Sequence, residues 1–169
     1  ARELGWHFLD SGAIYRSLAV AVLRAELPLE DVTGIVAIAE AMDLAFTADE
    51  PPAVLLNGTN ISSDIASEVC GNTASKIASI GPVRAALLQK QKDFRKPPGL
   101  VADGRDMGSV VFKDAEVKIY LTASARVRAE RRYKQLSDKG THVTLDSLTR
   151  EIEERDQRDR ERKEAPLVV

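Results

Sequence analysis

The stretch GLVADGRDMGSVVF at residues 99–112 decides the fold and points to the site. A short apolar run at 100–102 ends at Asp103, and a glycine-containing turn with Arg105 and Asp106 follows it. This order predicts a buried strand of an α/β protein, with two carboxylates and a guanidinium beyond its carboxyl end, where open α/β sheets bind ligands. Because arginine suits phosphate and aspartate suits hard cations or donors of a sugar or base, the stretch predicts phosphate chemistry.

The rest of the chain alternates between strand-like and helix-like patterns. Apolar runs bounded by turn residues predict strands, and apolar positions three and four apart predict helices. The Asn57-Gly58 pair predicts a hairpin over 54–61, so a small antiparallel unit is inserted into an otherwise α/β order that favours a parallel sheet. The predicted strands are 6–9, 44–47, 100–102 and 117–121, and the predicted helices are 14–26, 29–42 (capped by Asp31 or Thr33), 64–79, 82–94, 124–137 and 145–163.

Composition excludes several classes of function. The 169 residues carry 24 basic and 26 acidic side chains, a balance that disfavours general nucleic-acid binding. One cysteine and two histidines allow no internal disulfide and no zinc-type ligand set, so Cys70 is expected to be a small buried apolar residue. No apolar run approaches the ~18–20 residues of a membrane span, and no signal peptide is visible. A single cytoplasmic domain over 1–169 is expected.

Two further clusters, the loop at 10–16 and the arginine-rich C-terminal helices, have both a functional and a purely structural interpretation. The loop DSGAIYR at 10–16 follows a strand and opens a helix, whose N-terminal N–H groups favour anions, and Arg16 could reach back to the same anion. The plain alternative is that Ser11 caps the helix and Arg16 is solvated. For residues 103–106 the plain alternative is a turn capped by aspartate, with Arg105 in a surface ion pair.

The arginine-rich C-terminal helices form the second cluster. Arg155, Asp159 and Arg162 share one face of the predicted last helix, with Arg158 beside them. Arginines of the preceding helix add to this charge, at positions 126, 128, 131 and 132. Two such helices joined by a glycine-containing loop could close over phosphates and exclude water. The alternative is a solvated charged face, because pairs at this spacing contribute only ~0.2–0.5 kcal/mol each.

Four motifs together resemble one family, the bacterial cytidylate kinases. They are LDSGAIYR at 9–16, the pair Ser75 and Arg84, VADGRDMGSVVF at 101–112, and ERDQRDRER at 154–162. The resemblance implies a P-loop kinase-like, three-layer α/β fold with a parallel sheet. It also implies a nucleoside-monophosphate-binding part at about 38–95, which contains the small inserted sheet, and a helical lid at about 128–145.

The resemblance implies an activity and the residues that serve it. The activity is transfer of the ATP γ-phosphoryl group to CMP or dCMP by a monomer with Mg²⁺. The acceptor phosphate would bind Arg16 and Arg105 in a pocket lined by Ser11 and Tyr15. Cytosine would be recognised by Ser75, Arg84, Asp106 and Arg162. The sugar would be held by Arg155 and Asp159. Arg131 would approach the ATP phosphates, and Asp103 would join the Mg²⁺ shell through water.

One family feature is not found in these 169 residues. The family begins with a strand and a G-x-x-x-x-G-K-[ST] loop that cradles ATP phosphates, and no such string occurs here. The chain also opens at Ala1 like the tail of a helix and stops at APLVV like a strand that has just begun, so it is expected to be truncated at both ends. Two alternatives stay open from sequence: a non-catalytic CMP-binding fragment, and another small-molecule kinase of the same fold class.

Overall fold

The computed structural model describes residues 1–47, 53–138, 140 and 142–161. It divides into two compact units, residues 1–113 and residues 114–169. The strands are β1 (His7–Asp10), β2 (Leu44–Phe46), β3 (Val54–Leu56), β4 (Thr59–Asn60) and β5 (Leu100–Asp103). The helices are α1 (Ser11–Arg24), α2 (Val32–Ala41), α3 (Glu68–Ile77), α4 (Gly81–Lys92), α5 (Ala125–Ser137) and α6 (Leu145–Glu161). Single 3₁₀ turns lie at Arg2–Leu4 and Asp64–Ala66, and a π-helical turn at Met107–Val111.

The parallel pairing of β1 with β5 organises the first unit. The register places His7 opposite Leu100 and Asp10 opposite Asp103, so both strands end at the same edge. The strands predicted at 6–9 and 100–102 and the parallel sheet are confirmed, but residues 100–102 are partly exposed rather than buried as predicted. The polar residues that follow these two strands therefore start from neighbouring points of one sheet edge.

A separate antiparallel sheet has the order β2-β3-β4, so β2 adds a third strand to the predicted hairpin. Asn57 and Gly58 connect β3 to β4 with φ values of 49° and 78°. Two successive positive φ values are typical of a type I′ turn, which suits the twist of a tight hairpin. The hairpin predicted from Asn-Gly is confirmed.

The apolar core of the first unit is built around α1. Ile14, Leu18 and Val22 recur every four residues on α1 and are almost completely buried. Helix α1 packs against α3, and α2 packs against α4. Because α1 begins immediately after β1, this packing fixes the helix start at the sheet edge.

The second unit contains the helices α5 and α6. Helices α5 and α6 pack together around Ala129, Leu136 and Leu148. The predicted helix at 124–137 is confirmed, with Ser124 as its cap: the Val127 N–H donates to Ser124 Oγ at 3.2 Å. Of the predicted helix at 145–163, residues 145–161 are helical, and the remaining two lie outside the described residues.

Two sequence predictions are wrong in detail. Residues 117–121 were expected to form a buried strand, but they have no regular structure, and Val117, Ile119 and Leu121 are 75%, 80% and 90% exposed. A strand exists only through its partner's hydrogen bonds, and no described residues pair with this run. The single helix predicted at 64–79 is instead a 3₁₀ turn followed by α3. Ser67 separates them with extended backbone and caps α3 by accepting from the Cys70 N–H.

Within the described ranges, every helix is too short or too polar to cross a lipid bilayer.

We expect Asp31→Ala to destabilise α2. Of the two caps considered for this helix, Asp31 is the one the structure uses: its Oδ1 accepts from the Gly34 N–H at 2.9 Å. Loss of such a cap costs about 1 kcal/mol. Urea denaturation followed by circular dichroism should show a lower midpoint for Asp31→Ala, whereas Glu30→Ala, which removes a neighbouring exposed carboxylate, should leave it near that of wild type. Equal midpoints for the two variants would contradict this.

Candidate active site

The site begins where β1 passes directly into α1. Asp10, the last residue of β1, caps the helix, because its Oδ1 accepts from the Ala13 N–H at 3.0 Å. The alternative that Ser11 is the cap is therefore wrong, and the helix starts three residues before the predicted position 14. Ser11 is buried in the first turn, and its hydroxyl donates to Gln91 Oε1 of α4 at 3.0 Å.

The turn after β5 lies against this helix start. A Cβ added at Gly104 would lie 2.9 Å from Ser11 Cβ and 2.9 Å from Met107 Cγ. Only glycine allows so close an approach, since the Ser11 Cβ is fixed by the helix backbone. Gly104 therefore joins the two stretches, 9–16 and 101–112, that sequence analysis singled out separately.

A buried ion pair joins α4 to the turn after β5. Arg84 Nη2 of α4 donates to Asp106 Oδ2, and both side chains are at most 10% exposed. Arg84 Nη1 also donates to the Ala78 carbonyl at 3.1 Å, and its guanidinium lies 5.9 Å from the ring centroid of buried Tyr15. The Asp106 side chain accepts no capping hydrogen bond from the turn that follows it. The alternative that this aspartate only caps the turn is therefore wrong.

A second arginine, Arg16, projects from α1 and directly follows Tyr15 in the sequence. Arg16 is partly buried, and its Nη1 donates to the Ile65 carbonyl at 2.6 Å. The plain interpretation of Arg16 as a solvated side chain is therefore wrong. Ser75, on α3, is also buried. These positions depend on the packing of α1 against α3, which local sequence patterns do not report.

Asp103 and Arg105, at the end of β5, are more accessible than the buried Arg84–Asp106 pair. Asp103 is exposed, and within the described residues its side chain accepts no hydrogen bond and belongs to no cluster of three or more potential metal ligands. Arg105 is partly buried. An accessible carboxylate at a strand end is chemically suited to share a hydrated divalent cation with phosphate oxygens.

The second unit holds the remaining predicted residues. Arg155 is partly buried and Asp159 is buried on α6, so this charged stripe is not simply a solvated face. Arg131 is exposed on α5. Arg162 lies outside the described residues.

One arginine of α5 has a structural partner. Arg128 Nη1 donates to Asp156 Oδ1 of α6 at 2.8 Å, and Nη2 donates to Oδ2, which gives a bidentate pair. Arg128 Nε donates to the Ala123 carbonyl. The hydrogen bonds to Asp156 raise the pKa of the Arg128 guanidinium. Arg128 was one of the lid arginines considered for phosphates, but here it joins α5 to α6.

Sequence reasoning missed Gln91, and a usable signal existed. Val83, Leu87 and Gln91 form the buried stripe of α4 at intervals of four. A glutamine on an apolar stripe must satisfy its amide inside the protein, and Gln91 does so through Ser11 and the Leu87 carbonyl. A polar residue at such a position therefore indicates a buried contact worth locating.

The fold and these side chains define a class of protein. A parallel strand pair, an inserted antiparallel sheet and an arginine- and aspartate-rich strand end are those of a P-loop kinase-like α/β protein.

Comparison with known proteins identifies the family. A family model described as cytidylate kinase matches residues 1–169. The chain is 59% identical over 167 residues to "Cytidylate kinase" of Methylococcus capsulatus, covering 99% of this chain and 75% of the relative. It is 55% identical to that of Aeromonas salmonicida and 52% identical to that of Bordetella pertussis, each over 168 residues, 99% of this chain and 73% and 74% of the relatives. The chain belongs to the cytidylate kinase family.

We expect Asp106→Ala to be far more destabilising than Asp103→Ala. Removing one partner of a buried pair leaves the other charge uncompensated and costs about 3–5 kcal/mol. Removing an exposed carboxylate away from such a contact changes stability by about 0.5 kcal/mol or less. Urea denaturation of both variants measures the difference, and similar free energies of unfolding would show that the Arg84–Asp106 pair is not the buried contact described above.

Proposed function

We propose that this protein transfers the γ-phosphoryl group of ATP to CMP or dCMP, giving ADP and CDP or dCDP. Membership of the cytidylate kinase family supports the reaction. The observation that carries the acceptor choice is the buried Arg84–Asp106 pair against Tyr15. Nothing in the fold or the relatives favours the non-catalytic alternative.

The chemistry of cytosine matches this pair. Cytosine presents an amino donor beside two acceptors, a ring nitrogen and a carbonyl oxygen, so Asp106 can accept from the amino group while Arg84 donates to the acceptors. Uracil presents a carbonyl oxygen where cytosine has the amino group, and that oxygen would face a carboxylate. A good bidentate match of this kind is worth roughly 1–3 kcal/mol of discrimination. Ser75 and Arg162 are proposed to complete the recognition of the base.

The acceptor phosphate is proposed to bind Arg16 and Arg105, in a pocket lined by Ser11 and Tyr15. Arg16 is suited to this role because a backbone carbonyl holds one of its terminal nitrogens, which orients the fork and leaves other N–H groups for phosphate oxygens. Phosphoryl transfer depends mainly on alignment and on spread positive charge. A guanidinium that is already oriented supplies both.

Residues of the second unit are proposed to serve the sugar and ATP. Arg155 and Asp159 would hold the sugar, with the Asp159 carboxylate accepting from a hydroxyl. Arg131, exposed on α5, would approach the ATP phosphates. The Arg128–Asp156 pair keeps α5 and α6 together, so the two helices can move as one lid.

Magnesium is the proposed metal, and the residues present fit it. Mg²⁺ keeps several waters and takes one or two carboxylates besides substrate phosphates. The exposed Asp103 carboxylate, uncommitted among the described residues, offers such a ligand through water. When bound with ATP, Mg²⁺ neutralises part of the charge on the transferred group.

The remaining parts of the proposal concern organisation. The region at about 38–95, with its three-stranded sheet, is proposed as the monophosphate-binding part, and about 128–145 as the lid. The protein is proposed to act as a monomer in the cytoplasm, where its nucleotide substrates are found, with no nucleic-acid or membrane partner.

A panel of acceptors tests the function directly. The protein expressed from its complete reading frame, given MgATP, should release ADP at least about 5-fold faster with CMP or dCMP than with UMP or AMP, the lower bound set by one bidentate match. Equal rates with all four acceptors would overturn the assignment of the base site, and no transfer to any of them would overturn the proposed reaction.

We further expect Asp106→Asn to lower the ratio of kcat/KM for CMP to that for UMP by about 5- to 150-fold, because an amide no longer favours the amino group over a carbonyl. This ratio does not depend on the fraction of folded enzyme, so a loss of stability does not confuse it. Asp93→Asn makes the same chemical change at an exposed position at the end of α4 and should leave the ratio unchanged. An unchanged ratio in Asp106→Asn would contradict the proposed recognition.

A further inference from the structure

Gly71 lies under the guanidinium of Arg16. A Cβ built at Gly71 would lie 3.2 Å from Arg16 Nη2, 3.3 Å from Nη1 and 3.5 Å from Cζ. The first two distances are shorter than ordinary van der Waals contact, so an alanine there would push the planar group away by a few tenths of an ångström.

The backbone does not require glycine at this position. Gly71 lies within α3, after the cap Ser67, and has no positive φ. Glycine in a helix interior costs about 1 kcal/mol relative to alanine. The chain therefore carries a residue that weakens α3, at the point where a side chain would meet Arg16.

Two other contacts from the same segment hold Arg16. The Ile65 carbonyl accepts from Arg16 Nη1 at 2.6 Å, just before α3 begins. The Cys70 Sγ donates to the Arg16 backbone carbonyl at 3.3 Å. Burial raises the pKa of the Cys70 thiol, although Arg16 opposes this shift, so the thiol keeps the proton it donates. Residues 65–71 thus contact both ends of Arg16.

We propose that Gly71 is a positioning residue for Arg16, whose missing side chain lets the guanidinium settle where it can meet the acceptor phosphate. The inference rests on the proposed function of Arg16 and extends it to a residue that touches no substrate. A displaced guanidinium keeps its charge but loses its alignment. In well-oriented sites a misplacement of 1 Å can lower the reaction rate about 100-fold. A shift of a few tenths of an ångström should therefore lower kcat/KM for CMP about 3- to 10-fold.

Gly71→Ala tests this with three readouts: the KM for CMP, the KM for ATP and the melting temperature. The kcat/KM for CMP should fall about 3- to 10-fold, through a higher KM for CMP because Arg16 binds the acceptor phosphate, and the KM for ATP should stay within about two-fold of wild type. The melting temperature should stay the same or rise, because alanine favours the helix. Asn72→Ala, at the exposed neighbouring position of α3, is the matched control and should leave both KM values unchanged.

A double-mutant cycle separates this inference from a general packing role. In an Arg16→Ala background no guanidinium remains to be displaced, so adding Gly71→Ala should change the KM for CMP by less than about two-fold. The same increase in both backgrounds, an unchanged KM in Gly71→Ala alone, or a lowered melting temperature of that variant would overturn the inference. If Arg16→Ala itself leaves the KM for CMP unchanged, the proposed function of Arg16 fails; if Arg16→Ala raises it and Gly71→Ala does not, only the role of Gly71 fails.

Discussion

The pairing of β1 with β5 is the constraint on which the first unit depends. Parallel register sets Asp10 opposite Asp103, so two strands far apart in sequence end at one edge. Strand β1 leads directly into the first turn of α1, and β5 leads into the turn that carries Arg105 and Asp106. The close approach of Gly104 to Ser11 keeps these turns in contact. A different register would separate the groups that the proposed chemistry needs.

The burial of charge in this site has a clear physical logic. Water competes poorly for Arg84 and Asp106 because both are buried, so their mutual contact is strong but each would be costly without the other. A base that offers a donor to Asp106 and acceptors to Arg84 can share the pair without leaving either charge uncompensated. Arg16 is likewise held by its neighbours. The Ile65 carbonyl orients its guanidinium, and the missing side chain of Gly71 leaves space for it. The same buried contacts therefore serve both stability and the proposed selectivity.

Much of this arrangement could be predicted from the sequence, and the rest could not for physical reasons. Asn57-Gly58 predicted a hairpin correctly because its turn chemistry is local, and the strand before Asp103 was recognisable from its apolar run and its polar ending. The run at 117–121 was also predicted as a strand but has no regular structure, because a strand depends on a partner that periodicity does not reveal. Gln91 and Gly71 were missed because their roles arise from helix packing between distant segments.

The most direct test of the proposed cytosine site is a crystal structure of the protein, expressed from its complete reading frame, with CMP bound. The cytosine amino group is expected within about 3.2 Å of an Asp106 carboxylate oxygen, with Arg84 at the acceptors of the base and the CMP phosphate on Arg16. A structure in which the base lies elsewhere, while Arg84 and Asp106 contact only each other, would contradict the proposed site.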